Sequence, residues 1–514
     1  MLPLMTGGWL PPPSSSRRTV TPSPRRGCIN ITTPIIGWSF IPQIFFPPDF
    51  PSSGGRNVLA RFNLLDLRID LRRNGVLSTL FHLFPETTNV TEARWRSHLI
   101  FYVKELPKSP WPLTLYSVPF TIISHDNKGR AFIFPRPILG NLGISICQDW
   151  GDNFKEFSDG KLRKLGADAH SWFKNNLPKT RMIELMVTCE RTIYVVLEDH
   201  ADILSLKVAL PGKIAHCTVG YLTNRELHRP LWADSPAKRQ VDPQPISGVI
   251  RDDTTYDLLR PGVLISSKIL EEDGHPKVFS TTSGILVQDN SGNHFMTAAS
   301  RGIGDDRYIW QGNHSGRFIG QAVLDIPSTD VSLIKLKDDI KFVNEVFQDT
   351  NSYPPRLTRL ATSKDKFVFG DCNLDSPYTG TVGGTIVSKS VKIETGTDPT
   401  EDGLRYVIYN WGYMGQTEGN KDRPPLPDGT SGSAVWDETG VITGFYHYYI
   451  ENGPWSGFSA SVSASELAEA GYTLKQVPGY TLNQEARSYP IGPARVYTPL
   501  MGSFNGYNNW WGQY

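Results

Sequence analysis

Residues 427–449 constrain this chain more than any other stretch. Pro427-Asp428-Gly429-Thr430-Ser431-Gly432-Ser433 is a small-residue turn behind a proline-laden loop, and it runs straight into the apolar Ala434-Val435-Trp436. Asp437-Glu438-Thr439-Gly440 then reverses the chain, and Val441 to Tyr449 reads as the return strand of a hairpin. The glycines let the backbone fold tightly, so the amides of Gly429 and Ser431 can converge on one point. Two converging amides make an oxyanion hole, and the hydroxyl between them is then a nucleophile candidate. The same residues also suit a plain tight turn. On this pattern alone both readings stay open.

The chain upstream carries two further motifs. Thr281-Thr282-Ser283-Gly284-Ile285-Leu286-Val287, a turn, and His294-Phe295-Met296-Thr297-Ala298-Ala299 read as a hairpin ending in Thr-Ala-Ala. Thr329-Asp330-Val331-Ser332-Leu333-Ile334-Lys335-Leu336 follows about thirty residues later. Thr-Ala-Ala, Asp-Xaa-Ser-Leu-Ile-Lys-Leu and Gly-Xaa-Ser-Gly, in that order, resemble the trypsin-like (chymotrypsin-fold) serine peptidase domain, most of all those in large uncharacterised fungal proteins. The resemblance covers roughly residues 263–475. It implies a double β-barrel with the active serine in the cleft between barrels, Ser431 as nucleophile, Asp330 as the acid that orients the base, and Gly429 with Ser431 as oxyanion donors. The strand at 445–449 would border the primary specificity pocket, with Tyr448 and Tyr449 at its wall.

The histidine slot departs from that pattern. The family places its base directly after Thr-Ala-Ala or one residue later, where this chain has Ser300 and Arg301. Arginine stays protonated, and a serine hydroxyl hardly accepts a proton at neutral pH. Triad members act as a unit, and general-base assistance alone is worth roughly 10²–10⁴-fold. The expectation is therefore a pseudopeptidase that keeps a cleft for a peptide or protein ligand. Arg301 is expected to pair with Asp330 in the vacated position. An active serine endopeptidase with a non-standard base is the alternative, and His447, on the return strand, is the histidine placed to supply one. A second alternative is a structural or regulatory protein acting through its N-terminal part.

That N-terminal part reads as follows. Residues 1–55 form a Pro/Ser/Arg-rich leader, with no acidic residue before Asp49, and are expected to be disordered. Residues 56–230 read as a small α+β domain: strands at 100–103 and 115–122, a helix over 154–176, strands at 182–188 and 191–198, a short helix at 201–210 and a strand at 215–220. A proline-bearing linker, 231–261, leads to the β-rich stretch at 262–480, and 481–514 is a Gly- and aromatic-rich tail. The fold class expected is thus multidomain, α+β followed by an all-β double barrel.

Composition excludes several classes. Lys+Arg 52 against Asp+Glu 51 gives no electrostatic bias toward nucleic acid or an anionic membrane. No run of eighteen apolar residues suggests a spanning helix. No metal-ligand spacing or cofactor motif occurs, so neither a metal nor a cofactor is expected. The five cysteines form no close pair, which favours free thiols and, with no clear signal peptide, a cytoplasmic location.

Overall fold

The computed structural model describes residues 70–476 apart from a set of internal stretches, the longest being 234–250 and 415–425. The leader, most of the 231–261 linker and the aromatic tail lie outside the described residues. The chain is mostly β with few helices. No helix among the described residues is long and apolar enough to cross a membrane.

Strands Thr87–Glu92, Leu99–Val103 and Val118–Ser124 belong to a small separate sheet. Next come β1 (Asn141–Ile146), α1 (Asp159–Asn176), β2 (Met182–Thr188), β3 (Thr192–Leu197), β4 (Pro211–Ile214) and β5 (Cys217–Thr223). Helix α1 starts where Ser158 accepts the Lys161 amide at 3.3 Å, and its stripe of Leu162, Leu165, Ala169 and Phe173 is buried. The expected helix over 201–210 shrinks to Ile203–Leu206, and Pro211-Gly212 begins a paired strand. Proline is tolerated as a first strand residue. At Gly212 a Cβ would lie 2.5 Å from the Asn141 carbonyl carbon, so only glycine lets the two strands approach.

The stretch with the three motifs forms two rings. In the first, β6 (Leu264–Leu270), β7 (Pro276–Thr282), β8 (Leu286–Gln288), β9 (His294–Ala299), β10 (Tyr308–Gln311), β11 (Arg317–Ile326) and β12 (Val331–Leu336) pair in the order β7-β6-β10-β11-β12-β9-β8. Strands β7 and β8 are two parts of one bent segment. At the bend the Ser283 amide bonds the Val263 carbonyl (2.8 Å) and the Gly284 amide bonds the Thr297 carbonyl (2.8 Å), which closes the ring. Ile265, Met296, Ile309, Ile319 and Ile334 fill it.

In the second ring, β13 (Gly370–Ser376), β14 (Gly380–Thr395), β15 (Leu404–Met414), β16 (Ala434–Trp436), β17 (Val441–Tyr449) and β18 (Ser459–Ser463) pair as β13-β16-β17-β18-β15-β14, and β14 returns to β13. Helix α2 (Ala464–Glu469) follows, with Ser463 accepting the Ser465 amide at 3.3 Å.

Along one edge, strand β14 serves two partners; β15 takes the other edge. Gly380–Ile386 pair with β13, whereas Ser388–Lys392 pair antiparallel with β2, Ser388 opposite Thr188 and Lys392 opposite Glu184. The register shift in the β14–β15 pairing falls between those two parts, between Ile386 and Ser388. A bulge of this kind re-aims a strand, and here the second ring's sheet runs on through β2, β3, β5, β4 and β1. Helix α1 packs on the shared part, where Gly166 leaves no room for a Cβ, only 2.5 Å from Val391 Cγ1. One buried ion pair crosses the junction, Lys389 with Asp159 at 2.8 Å; a second, Arg229 with Glu184 of β2, lies on the N-terminal side and meets the second ring where the guanidinium stacks on Trp411.

Candidate functional site

Each motif residue reaches the site from a different element. After β9 the chain makes one 3₁₀ turn, Ser300–Gly302, whose first amide bonds the Asp330 carbonyl at 3.0 Å and whose second residue, Arg301, turns inward. Asp330 stands just ahead of β12, in a turn fixed by Thr329, whose hydroxyl bonds the Ile326 carbonyl at 2.8 Å. His447 comes from β17. Ser431 follows the 3₁₀ turn Asp428–Thr430. Gly432 after it has φ +88°, and a Cβ there would fall 2.7 Å from the Ala299 amide. The serine turn is fastened to β7 of the first ring. Thr282 donates its amide to the Ser431 carbonyl (3.1 Å) and its hydroxyl to the Gly429 carbonyl (2.7 Å), and Thr281 donates its hydroxyl to the Ser431 carbonyl (2.5 Å). The turn therefore sits where the two rings meet.

Arg301 is the hub. Its amide bonds Asp330 Oδ1 at 3.1 Å. Nη1 bonds Asp330 Oδ2 and faces His447 Nδ1, while Nη2 bonds both the Ser431 hydroxyl oxygen and the His447 carbonyl. The guanidinium thus pairs with Asp330, as expected, and it also reaches the serine. His447 Nδ1 lies 3.1 Å from Asp330 Oδ2. It can accept from the guanidinium or donate to the carboxylate, but not both in one tautomer. What His447 offers Ser431 is its backbone carbonyl, 2.9 Å from Oγ; the Asp428 carbonyl is 2.7 Å away.

The electrostatics follow from burial. Desolvation alone would raise the Asp330 carboxyl, but the Arg301 charge and the His447 contact reverse this and hold it below the usual carboxylate range. Burial lowers the Arg301 guanidinium against the opposing charges of Asp330 and Asp428. Burial, then the Arg301 charge, push the His447 imidazole down to about 4. Burial raises the Asp428 carboxyl, and Arg301 works against that rise. At neutral pH the site holds a cation, a carboxylate and a neutral imidazole.

This arrangement has the wrong polarity for a nucleophile. An activated serine gives its proton to a base and turns a lone pair outward. Here the hydroxyl proton faces backbone carbonyls and a lone pair is taken by a cation. The expected oxyanion pair is also incomplete in this conformation, because the Ser431 amide is spent inside its own turn on the Asp428 carbonyl (3.0 Å). Gly429 is buried against the Tyr378 ring.

The remaining expected residues fall around this hub. Ser300 turns away to Ser332, whose hydroxyl bonds it at 2.9 Å. Tyr448 is buried, its ring 6.0 Å from that of Trp411 and 4.8 Å from that of His447, and Tyr449 is half-buried against the second ring's core. A small cavity in that ring, bounded by Cys372, Ile386, Trp411 and Val435, includes none of the site residues in its lining. Sequence reasoning missed Asp428 and Tyr378. Asp428 has a signal, being an acid beside the serine turn, whereas Tyr378 sits in an ordinary turn with none.

No protein-family model matches the chain, and no curated protein matches it. Among solved structures it is similar to a glutamic acid-specific serine protease, at 15% identity over 42% of this chain and all of that one, with a TM-score of 0.28. It is likewise similar to the Nocardiopsis protease NAPase and to Thermobifida fusca protease A, each at 12% identity over 43% of this chain and all of theirs, with a TM-score of 0.28. Likeness at that level leaves the functional question to the chain's own geometry.

Proposed function

We propose that this chain is a trypsin-like serine peptidase homologue whose two rings form the double barrel, with an N-terminal α+β part, and that it is a pseudopeptidase. Its Ser431–Asp330 site is disarmed by Arg301, and its cleft serves to hold a peptide or protein ligand. One observation carries this reading: the Arg301 guanidinium occupies the space between Asp330 and Ser431, the place a general base would need, and hydrogen-bonds the serine oxygen itself. Arginine cannot take the serine's proton, so the group that fills the slot blocks the chemistry.

Labelling with a fluorophosphonate probe tests it. The wild type stays unlabelled. Arg301→His gains labelling, slowly because the Ser431 amide remains engaged, and loses it again when Ser431→Ala is added. Labelling of the wild type would overturn the proposal. The second reading, an active hydrolase using His447, is favoured by the 3.1 Å His447–Asp330 contact. It requires wild-type labelling that disappears in His447→Gln. A regulatory role through the N-terminal part draws support from the strand β14 shares with β2.

A further inference from the structure

The serine turn is covered by the chain itself. Ser431 and Thr430 have no exposed surface, and Tyr378 is 4% exposed. A Cβ on Gly429 would fall 2.1 Å from the Tyr378 hydroxyl oxygen, 2.4 Å from Cζ and 2.5 Å from Cε2, so the phenol lies flush against the Gly429 backbone. A ligand chain that approached Gly429 from this side would meet the phenol.

Tyr378 sits in the short reversal between β13 and β14, outside both strands. The Ser376 hydroxyl oxygen accepts the Tyr378 and Thr379 amides at 3.4 and 3.3 Å. From outside, the Pro377 carbonyl takes the Asp252 amide at 2.7 Å. Asp252 is buried, and its carboxylate is held by the Thr254 amide (3.1 Å) and the Tyr256 hydroxyl (2.7 Å). At the end of the same segment Gly262 (φ +87°) packs on Asp375, where a Cβ would lie 2.9 Å from Cγ. The approach to the first ring thus clasps the turn that carries Tyr378.

We propose that Tyr378 is an intramolecular occupant of the cleft, held there by residues 251–262, and that a peptide or protein ligand reaches the Ser431 turn only after this ring swings away. The inference rests on reading the turn as the floor of a peptidase-like cleft. It assigns that cleft a closed resting state, opened by moving one reversal, with neither ring rearranged.

Alkylation of a thiol placed at the serine tests this and needs no general base, so its outcome is independent of whether Arg301→His gains fluorophosphonate labelling. Ser431→Cys is treated with iodoacetamide in the full-length protein. The rate at that residue is read by mass spectrometry against wild-type protein, and folding is checked by circular dichroism. Exposure through local opening scales with the open population, so Ser431→Cys reacts slowly and Ser431→Cys/Tyr378→Ala about tenfold faster or more. Gly429→Ala gives a second route, because its methyl group must push the phenol aside while leaving it in the chain. Ser431→Cys/Gly429→Ala is expected to match the tyrosine variant. A rate for Ser431→Cys alone as fast as that of the unfolded protein overturns the proposal. So does a rate that neither second substitution raises in a folded protein.

Discussion

At Arg301 one side chain does the work of a buried ion pair, a hydrogen-bond donor to serine and a tie between two rings. Guanidinium suits this because its planar fork presents five donors, whereas a lysine ammonium is a point charge. Removing one partner of a buried pair costs about 3–5 kcal/mol, since the other charge is left uncompensated. Arg301→Ala should therefore lower stability by about that much in chemical denaturation, and Arg301→Lys should recover only part of it. His447 gives the site its pH dependence. Its folded pKa, about 4, lies below the unfolded value of roughly 6.5. Between those values the unfolded chain binds a proton that the folded chain refuses, so stability falls as pH drops through this window, by at most about 1.4 kcal/mol per unit. Asp330 is depressed instead, so its contribution is present above the ordinary carboxylate range and fades only below it. Urea midpoints from pH 7 to pH 4 should show the slope, and His447→Gln should flatten it. Ser431, Asp330 and Arg301 stand out in the sequence because each belongs to a motif a few residues long, and the structure brings the three side chains together. The sequence could not give the spent Ser431 amide, which depends on the conformation of one turn.

Among the elements, β14 is the least legible from sequence. Its apolar residues mark a strand, but nothing local announces that the partner changes at Val387. Pairing between residues about 200 positions apart leaves no nearby trace. The junction is nevertheless specified by charge. Asp159, at the first turn of α1, takes Lys389 from β14 and the hydroxyls of Ser463 (2.6 Å) and Ser465 (2.7 Å) from the start of α2. Asp159→Ala strands a buried ammonium and frees two hydroxyls, so a loss of about 3–5 kcal/mol is expected in denaturant melts. Asp159→Asn, which keeps hydrogen bonding but not charge, should lose less.

For the whole molecule, the core under α1 joins Leu165, Phe173, Leu185 and Val195 to Val391 and Ile408, so its two sides bury one another. Apolar surface shared in this way couples unfolding into one transition. Calorimetry of the full chain should show a single peak for the described body. A fragment beginning at residue 251 should aggregate, because it bares the β14 edge that β2 covers.

The divided strand also sets the chain's tolerance for insertions and deletions. Ile386 stands opposite Gly412 and Ser388 opposite Trp411, so Val387 is the extra residue of the bulge, and dropping it would leave Lys389 and Val391 on the faces they now occupy. One residue added after Ser388 would instead send every side chain beyond it to the other face, turning Lys389 away from Asp159 and Val391 away from α1. Most loops absorb a gained codon; at this position the reading frame survives while the frame of the sheet does not.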